Sequence, residues 1–454
     1  MIARAILADP SDLAVHWVWL PLFHYAQVPL VALGCTMQSV RWVNVVLSCL
    51  PPIMLFSYVR STAKGGVAEI PGVAIALFAS CAAAMSPIVM QMGTTAQPEP
   101  LFAVLMLAAA ISFARRRSWA TAAWLSLAVL LRYEAWPALA VVGAVLAWDH
   151  LRGTERGLRP WLSFIIPGML ILCWAAARRT VDDRWFAFVG QAHEFAAGAL
   201  HERSALDHGI KGLFIDLAYY PVVVAWKVMG PMVVFVPFGI IRSARQQGVR
   251  FLVVLGACLG SISLSWVQRS SLGLDRHFVE VVPLYAAVAS QGIVVAAEHI
   301  QARVARFWSR VTPVMGGRVI ASVIAAGTLT ALIAVLVPWM AVWRSSIMGG
   351  WPERQRLGAY LRSLPSDSVI FCDDATLEIL SGIDRRRFDR HWVDSPPTWK
   401  LITAAARNRG VAYVATWREK FTGHEALGRV VFETGVDSAH PDTTGIGVMR
   451  VGAD

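Results

Sequence analysis

Long apolar runs separated by short polar loops fill the first 340 or so positions, and from Trp351 onward polar and apolar residues alternate as in a soluble chain. A membrane-spanning helix needs about 20 apolar residues, fewer where neighbours bury it. On that rule the pattern predicts spans at 42–59, 70–89, 98–114, 119–131, 134–148, 160–178, 219–241, 250–267, 277–297 and 319–341. The fourth and fifth are short and flank Arg132-Tyr133-Glu134, as in a shallow hairpin shielded by other helices. After Trp351 the spacing predicts a helix at 352–364, the strand SVIFC, helices at 375–381 and 397–409, the strand VAYVAT, a short helix, and the strands RVVFET and GIGVMRV. Such strand–helix alternation builds a small α/β layer. The expected fold class is a polytopic α-helical membrane protein of about ten spans with a small C-terminal extracytoplasmic α/β domain.

Composition agrees. Only 16% of the residues are charged and 56% are hydrophobic, against about a quarter charged in soluble domains. The net charge of +11 does not point to nucleic acid, because the basic residues lie mostly in interhelical loops and no basic cluster interleaves with stacking aromatics. One set of alternate loops carries Arg60, Lys64, Arg115 to Arg117, Arg152, Arg156, Arg159, Arg242, Arg245, Arg250, Arg303, Arg306, Arg310 and Arg318, whereas the opposite short loops hold Arg41, Arg132, Arg269 and Arg276. The positive-inside rule makes the first set cytoplasmic, next to anionic headgroups. The expected location is then the bacterial inner membrane, with the loop 179–218 and the C-terminal domain outside. Parity reads residues 1–38 as an extracytoplasmic segment whose WLPLFHYAQVPLVALG stretch lies along the interface. A true span there, with a cytoplasmic N-terminus, is the alternative. Three regions follow: 1–38, a membrane core at 39–345, and a domain at 346–454. Cys372 alone of six cysteines falls in that domain, so it holds no internal disulfide, and no Cys/His metal pattern occurs.

Ionisable residues at a membrane edge are functional candidates, because burying charge in hydrocarbon is costly. Ala96-Gln97-Pro98-Glu99-Pro100 opens the third span. Glu99 suits a metal or a sugar hydroxyl, or equally ordinary helix-start chemistry. Arg132-Tyr133-Glu134 offers a guanidinium fork that fits phosphate; the bland reading is a structural Arg–Glu pair, which needs a turn there because i and i+2 point apart on a helix. Asp275-Arg276-His277-Phe278 supplies another cation, with Arg269 one loop away, or an interfacial Arg that snorkels. Asp9, Asp12, His16 and His24 form a fourth group, with Asp12 and His16 at i, i+4. HEFAAGALHE has its histidines eight apart, not the four of a zinc-protease helix. Asp373-Asp374 suits an N-cap, and Asp182-Asp183 after Arg178-Arg179 a helix end.

Several of these stretches, in this order, resemble the GT-C superfamily of polyprenyl-phosphate-sugar-dependent glycosyltransferases, which includes protein O-mannosyltransferases and the lipid A aminoarabinose transferase. They are IARAIL (2–7), WLPLFHYAQVPLVALG with SVRWVNVVLS, QPEPLF (97–102), LLRYEAW (130–136) and DRHFVEVVPLYA (275–286). The resemblance implies inverting transfer of a sugar from a polyprenyl-phosphate carrier to an extracytoplasmic lipid, glycan or protein acceptor. Glu99 and Glu134 would be the carboxylates of the site. Arg132, Tyr133, Arg276, His277 and Arg269 would bind the substrate. A divalent metal serves some members and not others, so it is left open, and no other cofactor is implied. The family's catalytic aspartate belongs just before the stretch matching IARAIL, after a first span, and no residue here matches it; Asp9 and Asp12 lie downstream of it. Two alternatives stand beside the enzyme: a decayed or truncated, non-catalytic member, and a lipid or solute transporter. A transporter would need charged or broken midplane helices and an inverted repeat, which the sequence does not show.

Overall fold

The structure is a computed structural model of the 454-residue chain. It describes residues 2–16, 19–35, 37–62, 72–154, 157–192, 209–268, 274–307, 313–348, 351–372, 383, 387–389, 411–417, 428–433 and 446–451. The chain forms two compact units, Met1–Val337 and Pro338–Asp454.

The first unit is helical. Two short helices, α1 (Ile2–Ala8) and α2 (Leu22–Ala32), precede α3 (Met37–Thr62). Then come α4 (Gly72–Ala84), α5 (Pro87–Gly93), α6 (Glu99–Ala114), α7 (Ser118–Val129), α8 (Ala135–Leu151) and α9 (Leu162–Asp182). α10 (Gly209–Ala218) runs through a π segment, Tyr219–Val224, into α11 (Ala225–Met229). A 3₁₀ segment, Gly230–Phe235, leads on to α12 (Val236–Gln246). α13 (Val249–Val267), α14 (Val281–Phe307) and α15 (Pro313–Met348) follow.

Six described stretches are long and apolar enough to cross a membrane, or seven if one bent pair counts as a span. The bent pair is α4 and α5, which meet at 60° where a single span at 70–89 was expected. Pro87 forces the break: it lacks an N–H and drives Ser86 to extended backbone, ψ 125°. The Ser86 hydroxyl donates to the Val228 carbonyl at 3.0 Å.

α6, α7 and α8 are apolar but short. At 1.5 Å per residue, the 12 residues of α7 rise about 18 Å, well under the roughly 30 Å hydrocarbon depth. Helices of this length leave a recess at one end. α6 is nevertheless the most enclosed of the three, with Phe102, Met106, Leu107 and Ala110 fully buried. α14 is its counterpart: Val281, Val282, Leu284 and Ala286 to Ala289 have no exposed surface. Glycine allows that density. A Cβ on Gly292 would lie 1.8 Å from the Phe235 carbonyl oxygen, and one on Gly239 would lie 1.9 Å from that of Val288. The backbones of α12 and α14 therefore touch, as small residues permit in membrane helices.

The second unit packs α16 (Trp351–Ser363) on a five-stranded sheet. The strands are β1 (Val369–Cys372), β2 (Phe388–Asp389), β3 (Val411–Trp417), β4 (Gly428–Glu433) and β5 (Ile446–Val451), in the order β2-β1-β3-β5-β4. β1 pairs in parallel with β2 and β3, while β5 is antiparallel to β3 and β4. Leu357, Leu361 and Leu364, at helical spacing, cover Ile370, Cys372, Ala415 and Val448. Phe371, Val411, Val414 and Met449 form a second cluster. Burial on both faces explains why β1 reads as an unbroken apolar run. β2 escapes the sequence pattern because two residues inside RRRFDR have no period. The helices expected at 375–381 and 397–409 lie outside the described residues.

Candidate functional site

Three turns at one end of the helical unit converge on a single cation. Pro98 ends the loop before α6 and places Glu99 in its first turn, 1% exposed. Residues 130–134 form the turn between α7 and α8 that an Arg132–Glu134 pair requires. The 3₁₀ segment Asp275–Phe278 brings in Arg276 and His277 just ahead of α14. Lys227 ion-pairs with Asp275, and the Tyr220 hydroxyl donates to the Leu274 carbonyl, so α11 and the π segment fasten that turn.

Arg132 is the hub. Its Nη1 donates to Glu99 Oε1 at 2.8 Å. Its Nε and Nη2 grip both oxygens of Glu134, at 3.1 and 2.6 Å. His277 Nδ1 lies 3.0 Å from Nη2 and 3.1 Å from Glu134 Oε1. Burial alone would lower the affinity of Arg132 for its proton, but Glu134 and Glu99 reverse that and hold the guanidinium well above its ordinary range. Arg276 is placed differently. Its Nε lies 3.6 Å from Glu99 Oε1, beyond hydrogen-bond length, and has no hydrogen-bond partner. Burial holds its guanidinium below the usual value, and Glu99 offsets this only in part. A further anion would relieve that deficit.

These residues line one cavity of about 470 Å³ together with Trp19, Leu20, Gln97, Tyr133, Trp136 and Ser261. Tyr133 lies beside the ionic cluster. It belongs to an aromatic wall, packed edge-on to Trp136 at 5.3 Å and against Phe188 at 6.2 Å, and burial raises its phenol above the ordinary value. Leu20 continues that wall with Trp174 and Phe188, so the segment before α3 closes one side of the cavity.

The structure thus gathers Glu99, Arg132, Glu134, Arg276 and His277, with Tyr133 in the adjoining wall. Arg269 lies outside the described residues, as do HEFAAGALHE and Asp373-Asp374. The fourth candidate group resolves differently from its sequence spacing. Asp9 accepts hydrogen bonds from the backbone and hydroxyl of Ser11. His16 faces His24, with Nδ1 atoms 3.0 Å apart and ring centroids 5.2 Å apart. The centroid spacing is what two rings pointing nitrogen to nitrogen would give, so one ring donates N–H to the other. Burial pulls both below the usual histidine value, His16 to about 4 and His24 to about 3, and both are neutral at neutral pH. Among the described residues no three His, Cys, Asp or Glu side chains come together as a metal site.

Glu280 escaped the sequence reading, and Arg178 entered it only as part of a helix end. Arg178 is buried, bonds Asp182 through Nε and Nη2 at 3.0 and 2.7 Å, and donates to the Leu13 carbonyl at 2.6 Å. It thereby ties α9 to the N-terminal segment. Its spacing to Asp182, i to i+4, was the available signal. Glu280 is buried beneath the cluster; a lone acid inside the apolar run FVEVVP was its signal.

No protein-family model and no curated protein matches the sequence. Solved structures do match. ArnT from Cupriavidus metallidurans in the apo state superposes with a TM-score of 0.60 at 14% identity, over 99% of this chain and 91% of that one. The same protein bound to undecaprenyl phosphate gives 0.52 at 13% identity, over 99% and 92%. The Archaeoglobus fulgidus oligosaccharyltransferase in the apo form gives 0.55 at 12% identity, over 93% of this chain and 65% of that one. The stretches QPEPLF, LLRYEAW and DRHFVEVVPLYA lead to three turns around one cavity, and the chain shares its overall fold with these solved structures.

Proposed function

We propose that the chain is a membrane glycosyltransferase that takes a sugar from a polyprenyl-phosphate carrier and passes it to an acceptor outside the cytoplasm. The observation that carries this reading is Arg276: a guanidinium without a hydrogen bond at Nε, facing a cavity at the end of a membrane fold. A fork of this kind matches phosphate oxygens. Similarity of fold to a protein solved with undecaprenyl phosphate supports the carrier class.

In this reading the two arginines have different tasks. The nitrogens of Arg132 are already engaged by Glu99 and Glu134, so Arg132 positions the carboxylates and the phosphate contact falls to Arg276. Glu134 has both oxygens bound and serves as part of that frame. Glu99 keeps Oε2 without a partner, and it is the carboxylate placed to meet the acceptor. The acceptor oxygen attacks the anomeric carbon and the carbon–oxygen bond to phosphate breaks. The acceptor proton passes to a carboxylate, and polyprenyl phosphate leaves with its charge held by Arg276. The aromatic wall of Tyr133 and Trp136 limits water around the sugar. The cavity end faces outward, as the loop charges require.

Undecaprenyl phosphate binding to the purified chain in nanodiscs, followed by native mass spectrometry, tests this. Arg276→Ala should weaken binding about ten- to a hundredfold, the loss of one charge-assisted contact. Arg276→Lys should recover part of it, since the charge remains without the fork. Glu99→Gln should bind carrier normally but transfer no sugar. Equal binding by wild type and Arg276→Ala would sink the assignment. Binding without turnover by the wild type would instead favour the non-catalytic member.

A further inference from the structure

Glu280 closes the turn between the 3₁₀ segment Asp275–Phe278 and α14. It has no exposed surface, and among the described residues neither carboxylate oxygen has a hydrogen-bond partner on another residue. That separates it from Glu134, whose oxygens take Arg132 and His277, and from Glu99, which holds Arg132 through one oxygen. Among the described residues, the charged and titratable groups near enough to act on it electrostatically are Glu99 at the start of α6, Arg132 and Glu134 in the α7–α8 turn, and Cys258 on α13. Arg276 and His277 precede it on its own segment.

Two cations and two hydrogen-bonded carboxylates already balance in this cluster. A third carboxylate, ionised and without a donor, would be an uncompensated buried charge, and a buried acid in that position takes up a proton instead. As a neutral acid it leaves the empty cluster uncharged overall. As an anion it would set a negative charge among the groups that receive a phosphate.

We propose that Glu280 is a pH-sensitive gate beside the carrier site, a neutral acid while phosphate binds, and that its deprotonation expels the carrier. The proposal rests on the reading of the cavity as a polyprenyl-phosphate site. The sign follows directly. Below the ionisation of Glu280 the cluster is balanced and binds; above it, a like charge opposes the phosphate and affinity falls. Arg132 is held well above its ordinary range by its two carboxylates. Loss of charge at Arg276 would persist in a Glu280→Gln variant and so is told apart by it. The second ionisation of a phosphate monoester, near pH 6, lies on the other side of neutrality and strengthens binding as pH rises.

The test uses the full chain in nanodiscs with undecaprenyl phosphate as probe, from neutral to strongly alkaline pH. Wild type should lose about tenfold or more in affinity across the alkaline limb, as one added like charge would require. Glu280→Gln keeps the shape of the neutral acid, and Glu280→Met needs no hydrogen bond, so either folded variant decides the matter. Both should match the neutral-pH affinity of wild type and keep it at alkaline pH. Cys258→Ser should retain the alkaline loss, which excludes the neighbouring thiol. A readout independent of ligand is the infrared band of a protonated carboxylic acid, present in wild type at neutral pH and missing in Glu280→Gln. An unchanged alkaline loss in Glu280→Gln, or absence of the band from wild type, overturns the proposal. Failure of wild type to bind at any pH, with the band present, overturns the carrier reading and with it the binding role of Glu280.

Discussion

The start and the middle of α14 are held by opposite means. At its start, Glu99, Arg132, Glu134 and His277 lock three turns together with part-buried, charge-assisted hydrogen bonds. A few turns further on, α14 is held by shape: Gly239 and Gly292 let two backbones meet where no side chain fits. Charge and small size do the same mechanical job, but only the charged end leaves groups over for chemistry. The glycine seam offers a ligand nothing, whereas the cluster keeps Arg276 Nε and one oxygen of Glu99 without partners. The contrast teaches that function sits where the packing is polar and incompletely satisfied.

The largest expected effect breaks the charged end. Arg132→Ala leaves Glu99 and Glu134 buried without their partner, which costs about 3–5 kcal/mol, and a large fall in thermal unfolding temperature in detergent checks it. A triple replacement of Glu99, Arg132 and Glu134 by methionine sharpens the point. It should restore most of the stability, because apolar residues of similar volume replace a buried ionic set at little cost, yet transfer no sugar, since Glu99 is gone while Arg276 remains to bind carrier. Should the triple variant be as unstable as Arg132→Ala, the cluster is needed for packing itself.

Next comes the seam. Gly292→Ala places a methyl group against the Phe235 carbonyl. The expected cost is that of overpacking, about 1–3 kcal/mol, with carrier affinity unchanged once the protein is folded. A fall in affinity as large as the fall in stability would show that the two regions are coupled. Arg276→Ala makes the converse case. Its contact to Glu99 is long and its side chain is 27% exposed, so the stability change should stay within about 1 kcal/mol while carrier binding suffers.

The smallest effect concerns the N-terminal segment. His16 and His24 have folded values of about 4 and about 3, below the ordinary 6.5. Both bind fewer protons when packed than when released, so the packed segment loses stability as pH falls from 6.5 towards 4. Hydrogen-exchange protection factors over residues 2–32, taken relative to the intrinsic rate at each pH, should therefore fall at mildly acidic pH while those of α6 stay constant. Replacing both histidines with phenylalanine should remove that dependence, and an unchanged pH response would assign it elsewhere.

Much of the membrane unit was legible because apolar length is a one-dimensional signal. Each predicted span has an apolar helix within it, and the short pair around Arg132 was read from length alone. The break at Ser86-Pro87 was not, because a proline in an apolar run can start, kink or end a helix. Glu99, Arg132, Glu134, Arg276 and His277 were legible as candidates because charge stands out against an apolar background. Glu280 was passed over as one acid within an apolar run, and Arg178 was read only as helix-end chemistry, although both are buried.

Order and polarity along the chain therefore determined by themselves which segments enter the membrane and which charges lie at their ends, since both follow from the cost of moving residues out of water. Tertiary structure alone decided the division of labour among those charges. Sequence treats Arg132 and Arg276 alike, two basic residues at helix starts. Folding surrounds Arg132 with two carboxylates and a histidine and leaves Arg276 3.6 Å from Glu99 with no hydrogen bond at Nε. Electrostatic interaction depends on distances of a few ångströms between residues more than 30 positions apart, and no local pattern encodes those.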